Sequence, residues 1–240
     1  MVKTLEAFEY AGLKALLRRY YAHMFTRRRS LLSRFFGCYS ITIQDHTKHF
    51  VVMESLFHTA PQHGKVHDIY DLKGSWVDRH SGLRDAASGT YKDMDLHKPF
   101  RVPYDDAKAI LHELRHDTEL LANANIMDYS LLVGVHNQPI STAAHITSAL
   151  QPGGEGGQHY VAQTVDVPRY YMGVIDMLQK WNLSKRAERW AKIVLKGRWA
   201  KGVRDGMSAI EPEAYRHRFL AGMAYQLGLA PSDDGDSTGV

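Results

Sequence analysis

The chain has 240 residues, 44% of them hydrophobic, enough for one two-lobed domain or two small domains with a buried core. Its one cysteine, Cys38, excludes an intrachain disulfide and suits a reducing compartment. No apolar run reaches the roughly 20 residues that span a bilayer, and the opening MVKTLEAFEY lacks the apolar core of a secretory leader, so a soluble chain is expected. Basic residues number 30 against 26 acidic, an excess that would decide no partner if it were evenly spread.

Residues 5–24 carry apolar side chains at 5, 8, 13, 16, 17, 20, 21 and 24, a period of about 3.6 without proline, which predicts an amphipathic helix ended by Arg27, Arg28 and Arg29. FFGCYSITI and HFVVMESLF, separated by the polar QDHTK, read as a β-hairpin. KVHDIYDLKGSW reads as a strand running into a glycine turn, and residues 81–89 as a loop. A helix is predicted after Pro103, with Ile110, Leu111, Leu114 and residues 119–121 on one face. Residues 139–167, which hold QPGGEGGQ, break the composition and read as a mobile insertion. RYYMGVIDMLQKW predicts a strand ending near Asp176, residues 210–227 a last helix started at Pro212, and residues 229–240 a disordered tail. That order of elements predicts an α+β fold rather than a regularly alternating parallel sheet.

The chemistry concentrates in three places. NIMDYSLLVGVHN sets Asp128 inside an apolar run; burying an unpaired carboxylate costs roughly several kcal/mol, so the acid marks either a surface turn or a site that supplies partners. Asp176, in GVIDML, is a second acid in the same setting. Two such acids suit a shared magnesium ion and phosphoryl transfer, a pattern that spacing alone leaves weak. Residues 180–204 hold nine basic side chains against Glu188, a local charge of +8, interleaved with Trp181, Trp190 and Trp199. That segment is either a solvated helix face or a contact for a polyanion, nucleic acid or anionic lipid. His58, His63 and His67 lie close together without cysteine partners and read as surface rather than zinc ligands.

As an ordered set these strings resemble the phosphatidylinositol-phosphate kinase family over residues 1–228, interrupted by the insertion, and most of all its phosphatidylinositol 4-phosphate 5-kinase branch. MVKT is similar to the strand bearing the ATP lysine, with Glu9 six residues beyond Lys3 at the place of the helix glutamate. FVVMESLF is similar to the strand and hinge that accept adenine. YDLKGSW matches the family's DLKGS string, with Arg79 just beyond, and KDMD at residues 92–95 is similar to its KDLD. IMDYSLLVGVH resembles a family signature, and YYMGVIDMLQ followed by KRAERWAK resembles the metal-binding strand and activation segment. Ser208, Pro212, Tyr215, Arg218 and Phe219 fit the closing pattern.

The resemblance implies a two-lobed kinase fold, distantly like the protein kinases, with a partial N-lobe in residues 1–56, a C-lobe in residues 57–228, and ATP and Mg2+ as cofactors. Lys3 would bind ATP phosphates and pair with Glu9, and Leu56 would sit at the adenine hinge. Asp176 would hold magnesium, and Asp128 would orient or deprotonate the inositol hydroxyl. Lys73 would meet phosphate as a point charge, with Arg79 also on the substrate side; an internal ion-pair network of Asp71, Lys73 and Arg79 is the alternative. Lys185 and Arg186 would attract an anionic membrane surface. Glu188, a Glu in the 5-kinase branch where the 5-phosphate 4-kinases carry Ala, would select phosphatidylinositol 4-phosphate. These implications place the protein in the cytoplasm, peripheral at the cytosolic face of a membrane, with no nucleic acid partner. The family's glycine-rich loop precedes the ATP lysine and has no counterpart before Met1, so the expectation is a fragment of a longer kinase or an inactive phosphoinositide-binding copy.

Overall fold

The computed structural model describes residues 1–57, 66–77, 79–82, 89–136, 168–181 and 210–229. The fold is α+β. Strand β1 (Val2–Leu5) leads into helix α1 (Ala7–Thr26), and strands β2 (Phe35–Ile43) and β3 (His46–Met53) form a hairpin. Strands β4 (Asp68–Leu72) and β5 (Thr90–Lys92), a short 3-10 turn at Asp93–Asp95, helix α2 (Tyr104–Asn123), strands β6 (Ser130–His136) and β7 (Arg169–Ile175), and helix α3 (Pro212–Gln226) follow. They make a three-stranded sheet, β1-β3-β2, and a four-stranded sheet, β5-β4-β6-β7, in which only the β4–β5 pair is parallel. Among the described residues no helix is long and apolar enough to cross a membrane.

The hairpin turn is tighter than its polar composition predicts. Only Gln44 and Asp45 leave the ladder, both at positive φ (47° and 64°), while His46, Thr47 and Lys48 continue as strand. A two-residue turn with both central residues left-handed matches the twist of the flanking strands, and Thr42 and Thr47 then bond across it at 2.9 Å. The three-residue strand β5, at the end of the expected loop, carries too little pattern to be read from sequence.

Among the described residues two apolar clusters organise the fold. The larger joins the buried face of α2 (Ile110, Leu114, Leu121) to β6, β7 and α3 (Tyr215, Phe219, Met223), and takes in Leu16 and Tyr20 of α1. The smaller comprises Leu5, Leu13, Val51, Met53 and Leu178, the last from the segment just after β7. Successive residues Met177 and Leu178 therefore enter different clusters and pin that segment where the two sheets meet. Each buried side chain of this size contributes about 1.5–3 kcal/mol.

The connection from α1 to β2 is fixed as firmly as a strand. Leu31 O accepts from Val174 N at 2.7 Å, and Val174 O accepts from both Ser33 N (3.0 Å) and Ser33 Oγ (2.8 Å). Asp117, an acid in the apolar seam of α2 and fully buried, holds the same connection. Its carboxylate accepts from Ser30 Oγ and from Leu31 N, both at 2.7 Å, and lies 2.6 Å from His23 Nε2. Burial of this carboxylate is tolerated because every partner is a polar group of the connection or of α1.

Candidate active site

The β6–β7 ladder of the four-stranded sheet has a break. Ser130 pairs with Ile175 where β6 and β7 end, and pairing resumes beyond at Met127 N–Gln179 O (3.0 Å) and Trp181 N–Asn125 O (2.9 Å). In the gap stand Asp128 on one chain and Asp176 on the other, at φ of 67° and 59°. Left-handed backbone is uncommon for a residue with a side chain, and Asp and Asn tolerate it best. Both acids thus leave the sheet at the same break, each swung out of the strand direction by its own backbone.

Asp128 does not face apolar side chains. Lys73, just past the end of β4, donates Nζ to Asp128 Oδ1 at 2.7 Å and to Asp128 O at 2.8 Å. The next residue, Tyr129, is buried against the rings of Tyr215 and Phe219, and its carbonyl accepts from Tyr215 Oη. Burial pushes the Tyr215 phenol well above its ordinary pKa, so it donates this bond throughout the physiological range. Helix α3 in this way clamps the acid's neighbour rather than the acid.

The loop carrying Lys73 rests on α3 through glycine. Gly74 adopts φ 59°, and a methyl group there would stand 2.8 Å from Arg218 O and 2.9 Å from Phe219 Cα. From the other side the loop is held by Asp93, which accepts from Lys73 N at 2.9 Å and from Arg79 Nε at 2.7 Å. Arg79, expected on the substrate side, is instead buried, with its Nη2 on the carbonyl and carboxylate of Asp71. Burial alone would lower its pKa, but Asp93 and Asp71 hold it up, and it is a fixed cation. Lys73 reaches Asp128, so only Asp71 and Arg79 of the alternative network pair by side chain, with Asp93 as the missing third member.

Asp176 lies on the wall of a cavity of about 300 Å³, together with Lys3 on β1, Val51 and Met53 on β3, Glu54, Leu56 and Ile175. Lys3 Nζ lies 3.2 Å from Asp176 Oδ1, with both side chains about half exposed. The pairing of Lys3 with Glu9 is not made: Glu9 reaches back to the N–H of Glu6 at 2.9 Å and stabilises the start of α1, as an N3 carboxylate does. Leu56 lies over Gly173, where a methyl group would fall 2.4 Å from Leu56 Cδ1, so a side chain on β7 at this position would make Leu56 shift. Apolar walls ending in a lysine and an acid fit a flat heterocycle with an anionic tail. Asp176, half exposed on that wall, suits a magnesium ion that keeps water and phosphate as its other ligands. Lys185, Arg186 and Glu188 lie outside the described residues, as do the insertion and the tail beyond Leu229.

A family model described as phosphatidylinositol-4-phosphate 5-kinase matches residues 1–163 and 150–225. The chain belongs to the phosphatidylinositol phosphate kinase family. Within it, the chain is 28% identical over 271 residues to phosphatidylinositol 5-phosphate 4-kinase type-2 gamma of Danio rerio, covering 91% of this chain and 63% of the relative. It is 27% identical over 263 residues to phosphatidylinositol 4-phosphate 5-kinase type-1 beta of Homo sapiens, covering 92% of this chain and 47% of the relative. The chain thus spans about half to two-thirds of the length of these kinases. The 4-kinase and 5-kinase relatives stand within one percentage point of each other in identity, which does not choose between them. Sequence reasoning missed Asp93 and Asp117; KDMD gave a signal for the first, and an acid in an otherwise apolar helix seam was the available signal for the second.

Proposed function

We propose that this chain is the core of an ATP-dependent lipid kinase that phosphorylates the 5-hydroxyl of phosphatidylinositol 4-phosphate, acting as a peripheral protein on the cytosolic face of a membrane in a two-lobed, kinase-like fold. The observation that carries the reading is the pair of left-handed acids at one break in the ladder, Asp176 with Lys3 at the cavity end and Asp128 with Lys73 beside it. Adenine would lie between Leu56 and the apolar wall, with Lys3 drawn from Asp176 onto the phosphates as a point charge. A magnesium ion at Asp176 would neutralise the charge developing on the transferred group. Asp128 would accept the proton of the attacking hydroxyl as the new P–O bond forms and ADP departs, with Lys73 holding its carboxylate in place. The choice of the 4-phosphate rests on Glu188, by its resemblance to the 5-kinase branch.

Radiolabel from γ-labelled ATP should enter vesicles containing phosphatidylinositol 4-phosphate in preference to those containing the 5-phosphate. Asp128→Asn should lower the rate by about 10²- to 10⁴-fold, the usual worth of a positioned base. Equal labelling by the variant would remove Asp128 from the reaction. Glu188→Ala should raise use of the 5-phosphate relative to the 4-phosphate; an unchanged ratio would leave branch choice unassigned. A second reading, phosphoinositide binding without transfer, is favoured by one contact: Lys3 closes on Asp176 while Glu9 caps its helix. Vesicle binding with no incorporation of label would select it.

A further inference from the structure

Helix α1 buries Gly12, Leu13, Leu16 and Tyr20. Its opposite face is not polar. Leu17, Tyr21 and Phe25 recur every four residues, with Tyr21 and Phe25 about 70% exposed (70% and 69%) and their rings 6.2 Å apart in a near-parallel stack. Arg18 flanks this stripe on the helix, and Arg28 and Arg29 follow its last turn; all three are exposed, whereas Lys14 Nζ lies over the Tyr10 ring, 4.6 Å from its centroid. Arg19 and Arg27, by contrast, turn back to the protein, onto Asn123 O at 3.0 Å and Glu113 at 3.7 Å. From residue 10 to residue 44 the sequence holds no Asp or Glu.

Two large exposed rings on a stable helix need a reason, since isolated apolar side chains are ordinary but contiguous stripes mark contacts. The charge says which contact. A second copy laid on this face would bring a second set of Arg18, Arg28 and Arg29 to it, and residues 10–44 of neither copy hold a carboxylate to receive them. An apolar stripe of aromatic and aliphatic side chains rimmed by Lys and Arg is the pattern of a helix lying in a lipid interface. We propose that the exposed face of α1 docks on an anionic lipid bilayer, with Leu17, Tyr21 and Phe25 entering the headgroup boundary and Arg18, Arg28 and Arg29 on lipid phosphates. The inference rests on the lipid-kinase reading for placing a bilayer beside the protein, and it adds a contact separate from the basic segment at residues 180–204.

The test is co-sedimentation of the full chain with phosphatidylcholine vesicles, with and without phosphatidylserine and free of phosphoinositide, alongside turnover of a short-chain water-soluble substrate. Wild type should bind only the anionic vesicles. Tyr21→Ser with Phe25→Ser should bind about tenfold more weakly, Phe25→Leu should retain binding, and each of Arg18→Gln, Arg28→Gln and Arg29→Gln should cost on the order of fivefold. Soluble turnover should be unchanged in all of them. Undiminished vesicle binding by the double variant would overturn the proposal. So would a wild-type dimer in sedimentation equilibrium that the double variant dissolves, because the face would then lie between copies. Absence of soluble turnover in wild type, beside intact and ring-dependent vesicle binding, would sink the kinase reading and uphold this one.

Discussion

Gly74 shows how much of the site depends on a residue without a side chain. Its positive φ and its approach to Arg218 and Phe219 both exclude a Cβ, and its neighbour Lys73 carries the ammonium that holds Asp128. Gly74→Ala should therefore lower stability by about 1–3 kcal/mol, and in the proposed phosphoryl transfer should lower incorporation of label further by displacing Lys73. Gly82→Ala, where a methyl would meet nothing within 4 Å among the described residues, is the control and should be close to neutral. Equal melting temperatures for the two variants would show that the loop yields without cost. At this scale the sequence was informative about identity and poor about pairing. Asp128 announced itself by its apolar setting, and Lys73 was already a candidate. The partner of Lys3 was misjudged because spacing along a chain reports which residues share a helix turn, not which side chain a strand will meet across a cleft. Glu9 had a nearer donor in Glu6, and the nearer bond was made.

At the scale of elements, periodicity located α1 and the apolar face of α2, since burying one face of a helix leaves a mark every third or fourth residue, while Pro212 marked the start of α3 and two β-rich segments about a polar turn marked the hairpin. It could not show that the α1–β2 connection is held by a carboxylate 86 residues away in sequence. Asp117 links α1, that connection and, through Leu31 and Ser33, the Val174 backbone two residues before Asp176. Asp117→Ala would leave Ser30 Oγ and Leu31 N without their acceptor in a buried site and open space in the helix seam. The expected cost is about 3 kcal/mol or more in urea unfolding. Asp117→Asn, which keeps an acceptor oxygen, should cost less. If both variants unfold with wild type, the connection is held by its backbone bonds to β7 alone.

Taken whole, the molecule is rich in buried phenols, and this gives it an alkaline limit. Burial raises the pKa of Tyr20, Tyr70, Tyr129, Tyr170, Tyr171 and Tyr215, that of Tyr20 to about 12. An unfolded tyrosine ionises near pH ~10, so above that pH the unfolded chain has released protons that the folded chain still binds. Stability is therefore intact below pH ~10 and falls as pH rises further, for Tyr20 across the interval up to its folded value, at about 1.4 kcal/mol per pH unit for each phenol kept neutral by the fold. Tyr20 is a poor probe of this, because its hydroxyl donates to Ser33 O (2.9 Å) and accepts from Phe35 N (3.2 Å), and its loss would cost those bonds at every pH. Tyr129 separates the effects: its hydroxyl is buried without a hydrogen-bond partner among the described residues. Tyr129→Phe should match wild type in urea at neutral pH, since no bond is lost. Above pH ~10 it should lose stability less steeply than wild type, by one phenol's share of the slope. Parallel stability curves across that range would mean that Tyr129 reaches solvent before the rest of the core unfolds.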